Sequence, residues 1–182
     1  MTTIYVVRHG QSVANARKEV AGSRESPLTL LGKKQALLAG QKAKALGVTR
    51  IICSPLERAR QTAEIIARTT GISTSHIVVM PELIERSLGE LEGQNYTHNQ
   101  RLNGNYPETE TVNNVEPLPH LHGRINYALR TILHDNKDQT VLIVCHMNPG
   151  RMLQAIVTGR PAIEMYDQPR LENGQIYQLI TS

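Results

Sequence analysis

The chain has 182 residues, 40% of them hydrophobic and 20% charged, enough to bury the core of one domain spanning 1–182 without disulfide or metal staples. Its 20 Lys and Arg exceed its 16 Asp and Glu, but the resulting +4 is spread along the chain, with no basic arm or stripe. With six Tyr and no Phe or Trp, base-stacking platforms are scarce, so nucleic acid is not an expected partner.

The start MTTIYVVRHG lacks the charged-then-apolar layout of a secretory signal, and no run approaches the roughly 18 apolar residues of a membrane span. The expectation is a cytoplasmic protein with no membrane partner. Nothing in the sequence sets an oligomeric state. Cys53 and Cys145 each close an apolar run, RIIC and VLIVC, which reads as reduced thiols at strand ends; neither has a zinc-ligand spacing, and no metal site is expected.

In chain order, β-branched runs alternate with helical patterns. The spacing predicts a strand at 3–7, a helix at 30–46, a strand at 50–53, a helix at 56–69 and a strand at 77–80. A helix at 118–133, a strand at 140–145 and an edge segment at 175–181 follow. The rhythm is βαβ, and the strands TIYVV and TVLIVC are apolar almost throughout, as strands buried on both faces are. The fold class is therefore α/β, a three-layer αβα sandwich with a mostly parallel central sheet. Residues 93–119, polar and rich in Asn and turn signals, read as a short helix plus a surface excursion over the site, within the same domain.

Four segments carry chemistry. The first strand ends in Arg8-His9-Gly10-Gln11-Ser12-Val13-Ala14-Asn15, and ligands of open α/β sheets bind outside the carboxyl ends of strands. Gly10 suits a tight turn, Arg8 can fork onto phosphate or carboxylate oxygens, Ser12 and Asn15 can donate hydrogen bonds, and neutral His9 can serve as nucleophile or base. After RIIC comes Ser54-Pro55-Leu56-Glu57-Arg58, where Pro55 suits the opening of a helix and places Arg58 about one turn in. His146 ends VLIVC and precedes Met147, Asn148 and Arg151. The stretch from Glu82 to Gly93 holds Glu82, Glu85, Glu90 and Glu92, and by spacing alone any of them could supply a proton to a departing alkoxide. Taken singly, each segment also has a bland reading: a packed turn, an ordinary amphipathic helix, a structural histidine, a solvated acidic loop.

Together, in this order, the segments resemble the histidine phosphatase superfamily, which includes cofactor-dependent phosphoglycerate mutases, fructose-2,6-bisphosphatase and small broad-specificity phosphatases. RHGQSVAN matches its RHGxSxxN opening, SPLERARQTA its SPLxRAxxTA segment, LIERSLGELEG its LxExxxGxxEG segment, and VCHMNPGR its later histidine motif; residues 22–29 match a G-x-x-x-x-P-L-T stretch. The resemblance implies that His9 receives the phosphoryl group, that Arg8, Arg58 and His146 surround it, and that Glu85 donates the proton. It places Ser12, Asn15, Gly22, Ser23, Met147 and Asn148 at the substrate and requires no metal and no cofactor.

The departures bear on substrate. Mutases of the family carry an adjacent arginine pair in the excursion, a tyrosine three residues after the acid, and a lysine beyond the glycine that closes the acidic motif. Here Arg101 is the excursion's only Arg or Lys, Leu88 stands at the tyrosine position and Tyr96 at the lysine position. Met147 replaces the usual glycine after the second histidine. These differences favour hydrolysis of a small phosphorylated metabolite over a phosphoglycerate-type phosphomutase, or over a phospho-ligand binding protein on the same fold. Arg24 and Arg86 are further candidates for contact with substrate charge. Cys145 and Arg151 have the spacing of a cysteine-dependent phosphatase loop, but Pro149 has no N–H to give such a loop.

Overall fold

The computed structural model describes residues 2–95 and 114–181. Its sheet has the order β3-β2-β4-β1-β5, with β1 (Thr3–Arg8), β2 (Arg50–Cys53), β3 (Val78–Val79), β4 (Thr140–Cys145) and β5 (Ile176–Thr181). The β1–β4, β4–β2 and β2–β3 pairings are parallel, and β5 adds an antiparallel edge against β1. The mostly parallel α/β sandwich is thus present, and the segment expected at 175–181 does pair at the edge. The third predicted strand is only the exposed pair Val78–Val79.

Period-2 alternation in β4 explains the three layers. Val141, Ile143 and Cys145 join Ile4, Val6 and Ile52 against α4 (Leu118–Asp135) and α5 (Met147–Val157). Leu142 and Val144 face the other way, with Val7, Ile51 and Cys53, against α2 (Leu30–Ala45) and α3 (Glu57–Thr70). Lacking Phe and Trp, both cores are filled by Ile, Leu, Val and Ala with one cysteine each, and Met152 and Met165 join only the core under α4 and α5. A five-residue helix, α1 (Val13–Arg17), follows β1 and is closed by a capping box between Ser12 and Asn15.

Two sequence readings change. Helix α3 starts at Glu57 with Leu56 as its N-cap, because the Ser54 hydroxyl accepts the Leu56 N–H at 3.3 Å and keeps Pro55 in a turn before the helix. Gly10 is not in a left-handed conformation; it is needed because a Cβ there would lie 2.2 Å from the Gly32 carbonyl oxygen. Gly32 answers it, since a Cβ on that residue would lie 2.1 Å from the Gln11 oxygen. The paired glycines let the turn after β1 sit on the start of α2.

The described ends of the polar excursion are laced to the body: Gly93 N–H donates to the Val20 carbonyl at 2.8 Å and Glu116 N–H to the Ser87 carbonyl at 2.9 Å. Tyr96 and Arg101 lie outside the described residues. No helix among the described residues is long and apolar enough to cross a membrane.

Candidate active site

Adjacent parallel strands bring the two histidines together. Arg8 and Cys145 are register partners in β1 and β4, so His9 and His146 leave the sheet side by side, and their ring centroids are 5.1 Å apart. Both rings are buried, His9 at 3% exposure and His146 at 0%.

The neighbours of His9 fix its tautomer. Nδ1 lies 2.7 Å from the Gly10 carbonyl oxygen, which can only accept, so Nδ1 carries the proton. Arg58 Nε, which can only donate, lies 3.2 Å from Nε2, so Nε2 presents its lone pair. Burial, with the Arg58 and Arg8 charges, holds the imidazole well below its ordinary value of 6.5, outweighing the opposing Gly10 contact. The ring is neutral at neutral pH.

Arg58 reaches this place from the first turn of α3 and is 1% exposed. Its Nη1 donates to the Arg24 carbonyl and its Nη2 to the Gly22 carbonyl, each at 2.7 Å. Burial lowers its pKa, against the favourable fields of Glu85 and Glu25. Arg8, at the end of β1, donates from Nη1 to the Leu171 carbonyl at 3.1 Å.

His146 is the N-cap of α5, and its Nε2 lies 2.6 Å from the Ser54 hydroxyl. Its Nδ1 is buried and has no hydrogen-bond partner among the described residues. Burial first, then the Arg58 and Arg8 charges, keep this imidazole well below 6.5 as well, and a proton on His9 would oppose one here.

Of the four glutamates in the acidic segment, Glu85 is the one placed at the start of α5. Its carboxylate accepts from Met147 N–H at 3.2 Å, Asn148 N–H at 3.3 Å and Arg86 N–H at 2.8 Å. Met147 and Asn148 thus meet Glu85 through their backbones, next to His146. Glu92 turns instead to Ser23, and exposed Glu90 accepts from Asn114.

The remaining predicted residues fall one layer out. Ser12 accepts the Asn15 N–H, and Asn15 Oδ1 accepts the Ser12 N–H, so both side chains cap α1. Gly22 meets Arg58 through its carbonyl, and Ser23 gives its N–H and hydroxyl to Glu92. Arg86 is 0% exposed and is engaged by the protein itself, donating to the Glu116 carbonyl and the Tyr166 hydroxyl. Cys145 is part of the hydrophobic core and burial pushes its thiol up, which is the opposite of an activated thiolate. Burial likewise raises Cys53 to about 11, and both cysteines are free.

Some site residues carried no assigned role in the sequence. Thr62 takes the Gly10 N–H at 3.1 Å while donating to the Arg58 carbonyl, tying the two motifs together. Asn173 donates to the His9 carbonyl at 2.7 Å. Its only sequence signal is the Asn-Gly turn before the last strand.

An α/β sheet that presents paired neutral histidines beside two arginines at its carboxyl edge defines a class, and comparison with known proteins gives the family. Residues 4–182 match the histidine phosphatase superfamily (branch 1), and the chain belongs to it. It is 34% identical over 171 residues to the Escherichia fergusonii protein named "Probable phosphoglycerate mutase GpmB", covering 89% of this chain and 77% of that one. Among solved structures, Bacillus stearothermophilus YhfR superposes with a TM-score of 0.84 at 26% identity, covering 97% of this chain and 89% of the other. A mycobacterial glucosyl-3-phosphoglycerate phosphatase in complex with VO3 superposes with a TM-score of 0.86 at 22% identity, over 97% of this chain and 91% of that one, and shows the same fold.

Proposed function

We propose that this chain is a metal-independent phosphomonoester hydrolase that acts on a small phosphorylated metabolite in the cytoplasm through a phosphohistidine on His9. The observation that carries the reading is the His9 tautomer: with its proton held on Nδ1 by the Gly10 carbonyl, the neutral imidazole keeps its lone pair on Nε2, the nitrogen that attacks phosphorus on leaving the Arg58 Nε–H.

In the first step the Nε2 lone pair forms the N–P bond as the ester P–O bond breaks, and Glu85 gives its proton to the leaving oxygen. In the second, Glu85 takes a proton from water, the new P–O bond forms, and the N–P electron pair returns to His9. Among the described residues three of the five N–H groups of Arg58 go to His9, Gly22 and Arg24, which leaves two for a phosphoryl oxygen, and the Nε–H that His9 gives up on attack makes a third. The Nδ1 of His146, without a partner among the described residues, is a second group that a phosphoryl oxygen would satisfy once that nitrogen is protonated. Both arginines oppose the charge that spreads over the transferring group.

Phosphate release from a panel of phosphomonoesters, measured in chelator for wild type and His9→Ala side by side, tests the proposal. Release that persists in chelator and vanishes in the variant is expected; release that needs a metal, or survives in the variant, overturns it. A phosphoglycerate-type phosphomutase is the second reading, favoured by the name of the 34% identical relative. It predicts phosphoglycerate isomerisation without net phosphate release.

A further inference from the structure

The Arg58 guanidinium is held by two carbonyls of an irregular segment, which raises the question of what holds that segment. Between Gly22 and Arg24 stands Ser23, and its N–H and hydroxyl donate to Glu92 Oε1 at 2.9 and 3.1 Å. The same Oε1 accepts the Leu88 N–H at 2.9 Å, so one carboxylate joins the segment after α1 to the acidic segment. Gly22 has φ +49, and a Cβ on it would lie 2.1 Å from Glu92 Oε1; the carboxylate packs against a position that only glycine leaves open.

We propose that Glu92 is a positioning residue for the phosphoryl-transfer site. Its carboxylate fixes the Gly22–Arg24 turn, whose carbonyls in turn set Arg58 against His9. The chain of contacts is continuous: Glu92 to Ser23, Gly22 and Arg24 oxygens to the two Nη atoms, and Arg58 Nε to His9 Nε2. Glu92 also acts on Arg58 through space, favouring its charged form. Among the described residues no Lys or Arg forms an ion pair with Glu92, so its hydrogen-bonding capacity goes to this turn and to Leu88. The effect on turnover rests on the His9 phosphotransfer reading, whereas the effect on His9 itself does not.

Three substitutions separate geometry from charge. Glu92→Gln keeps an acceptor oxygen at the same reach, Glu92→Asp keeps the charge but withdraws it by a methylene, and Glu92→Ala removes both. Glu90→Gln is the charge-matched control, since Glu90 is exposed and turns to Asn114. The readouts are the NMR titration of the His9 imidazole and kcat/KM for phosphate release. In the Asp and Ala variants a loosened Arg58 no longer opposes protonation of Nε2, so the His9 titration moves up by about one unit. In the same variants kcat/KM falls about 100-fold, the scale of a misplaced catalytic group. Glu92→Gln restores both toward wild type, and Glu90→Gln changes neither.

A folded Glu92→Asp protein whose His9 titrates as in wild type overturns the proposal; should Glu92→Ala fail to fold, Glu92→Asp and Glu92→Gln still decide it. If wild type releases no phosphate, the His9 titration alone upholds or overturns the positioning role, and only the phosphatase reading is lost.

Discussion

His9 and His146 sit 5.1 Å apart with their rings tilted by 59°, because the register of β1 on β4 delivers two histidines to the same end of the sheet. Buried together beside Arg8 and Arg58, they are both held neutral. An unfolded chain takes up these protons near pH 6.5 and the folded one only at lower pH, so the unfolded state binds more protons as pH falls. Stability is therefore full above about pH 6.5 and lost below it, at up to about 1.4 kcal/mol per pH unit for each histidine. Urea denaturation at pH 7.5, 6.5 and 5.5 checks the sign. Removing one ring, as in His146→Ala, should flatten the dependence.

If the phosphoenzyme forms on His9, His9→Ala abolishes turnover while Cys145→Ser leaves most of it per folded molecule. The thiol is fully buried and raised, so its loss acts through the core, where burying a hydroxyl costs on the order of 1–3 kcal/mol. Paired kcat and denaturation measurements separate the two effects. A dead Cys145→Ser protein of normal stability would move the nucleophile to the cysteine.

How much of this was legible in the sequence depends on where each residue stands. His9 and His146 close apolar strands and Arg58 follows another, so parallel β-strand logic alone places them at one edge of the sheet. Glu85 needed the family pattern to separate it from its three neighbours, because its distinction is a meeting with the N–H groups of α5, far away in sequence. Thr62 and Glu92 are fixed letters of the SPLxRAxxTA and LxExxxGxxEG segments, but their partners, like that of Asn173, lie in the turns that carry Gly10, Ser23 and His9, and no local spacing encodes such a meeting. The partners of Arg86 were hidden for the same reason: the Glu116 carbonyl and the Tyr166 hydroxyl come from 30 and 80 residues away.

Arg86 should matter for stability and not for substrate charge. Arg86→Met keeps much of the volume but removes the hydrogen bonds to the Glu116 carbonyl and the Tyr166 hydroxyl, both half-buried, at about 0.5–1.5 kcal/mol each. Denaturation should show that loss. The ratio of kcat/KM between a singly phosphorylated substrate and one bearing a second anionic group should stay unchanged; a falling preference for the second anion would return Arg86 to the substrate.

Glu85 makes the sharpest chemical prediction. As proton donor it is required only when the departing oxygen is a poor leaving group, since an aryl oxide departs without help. Glu85→Gln should therefore lose on the order of 100-fold or more in kcat on an alkyl phosphate and far less on an aryl phosphate. The amide has the size of the carboxylate, and its oxygen can keep the Asn148 and Arg86 N–H groups while its NH2 turns to the Met147 N–H, so one backbone contact is lost along with the transferable proton and a denaturation curve should accompany the rates. Rates on both ester types, measured for wild type and variant, give the ratio directly. Equal losses on the two would assign the proton to another group, with Glu82 next in line.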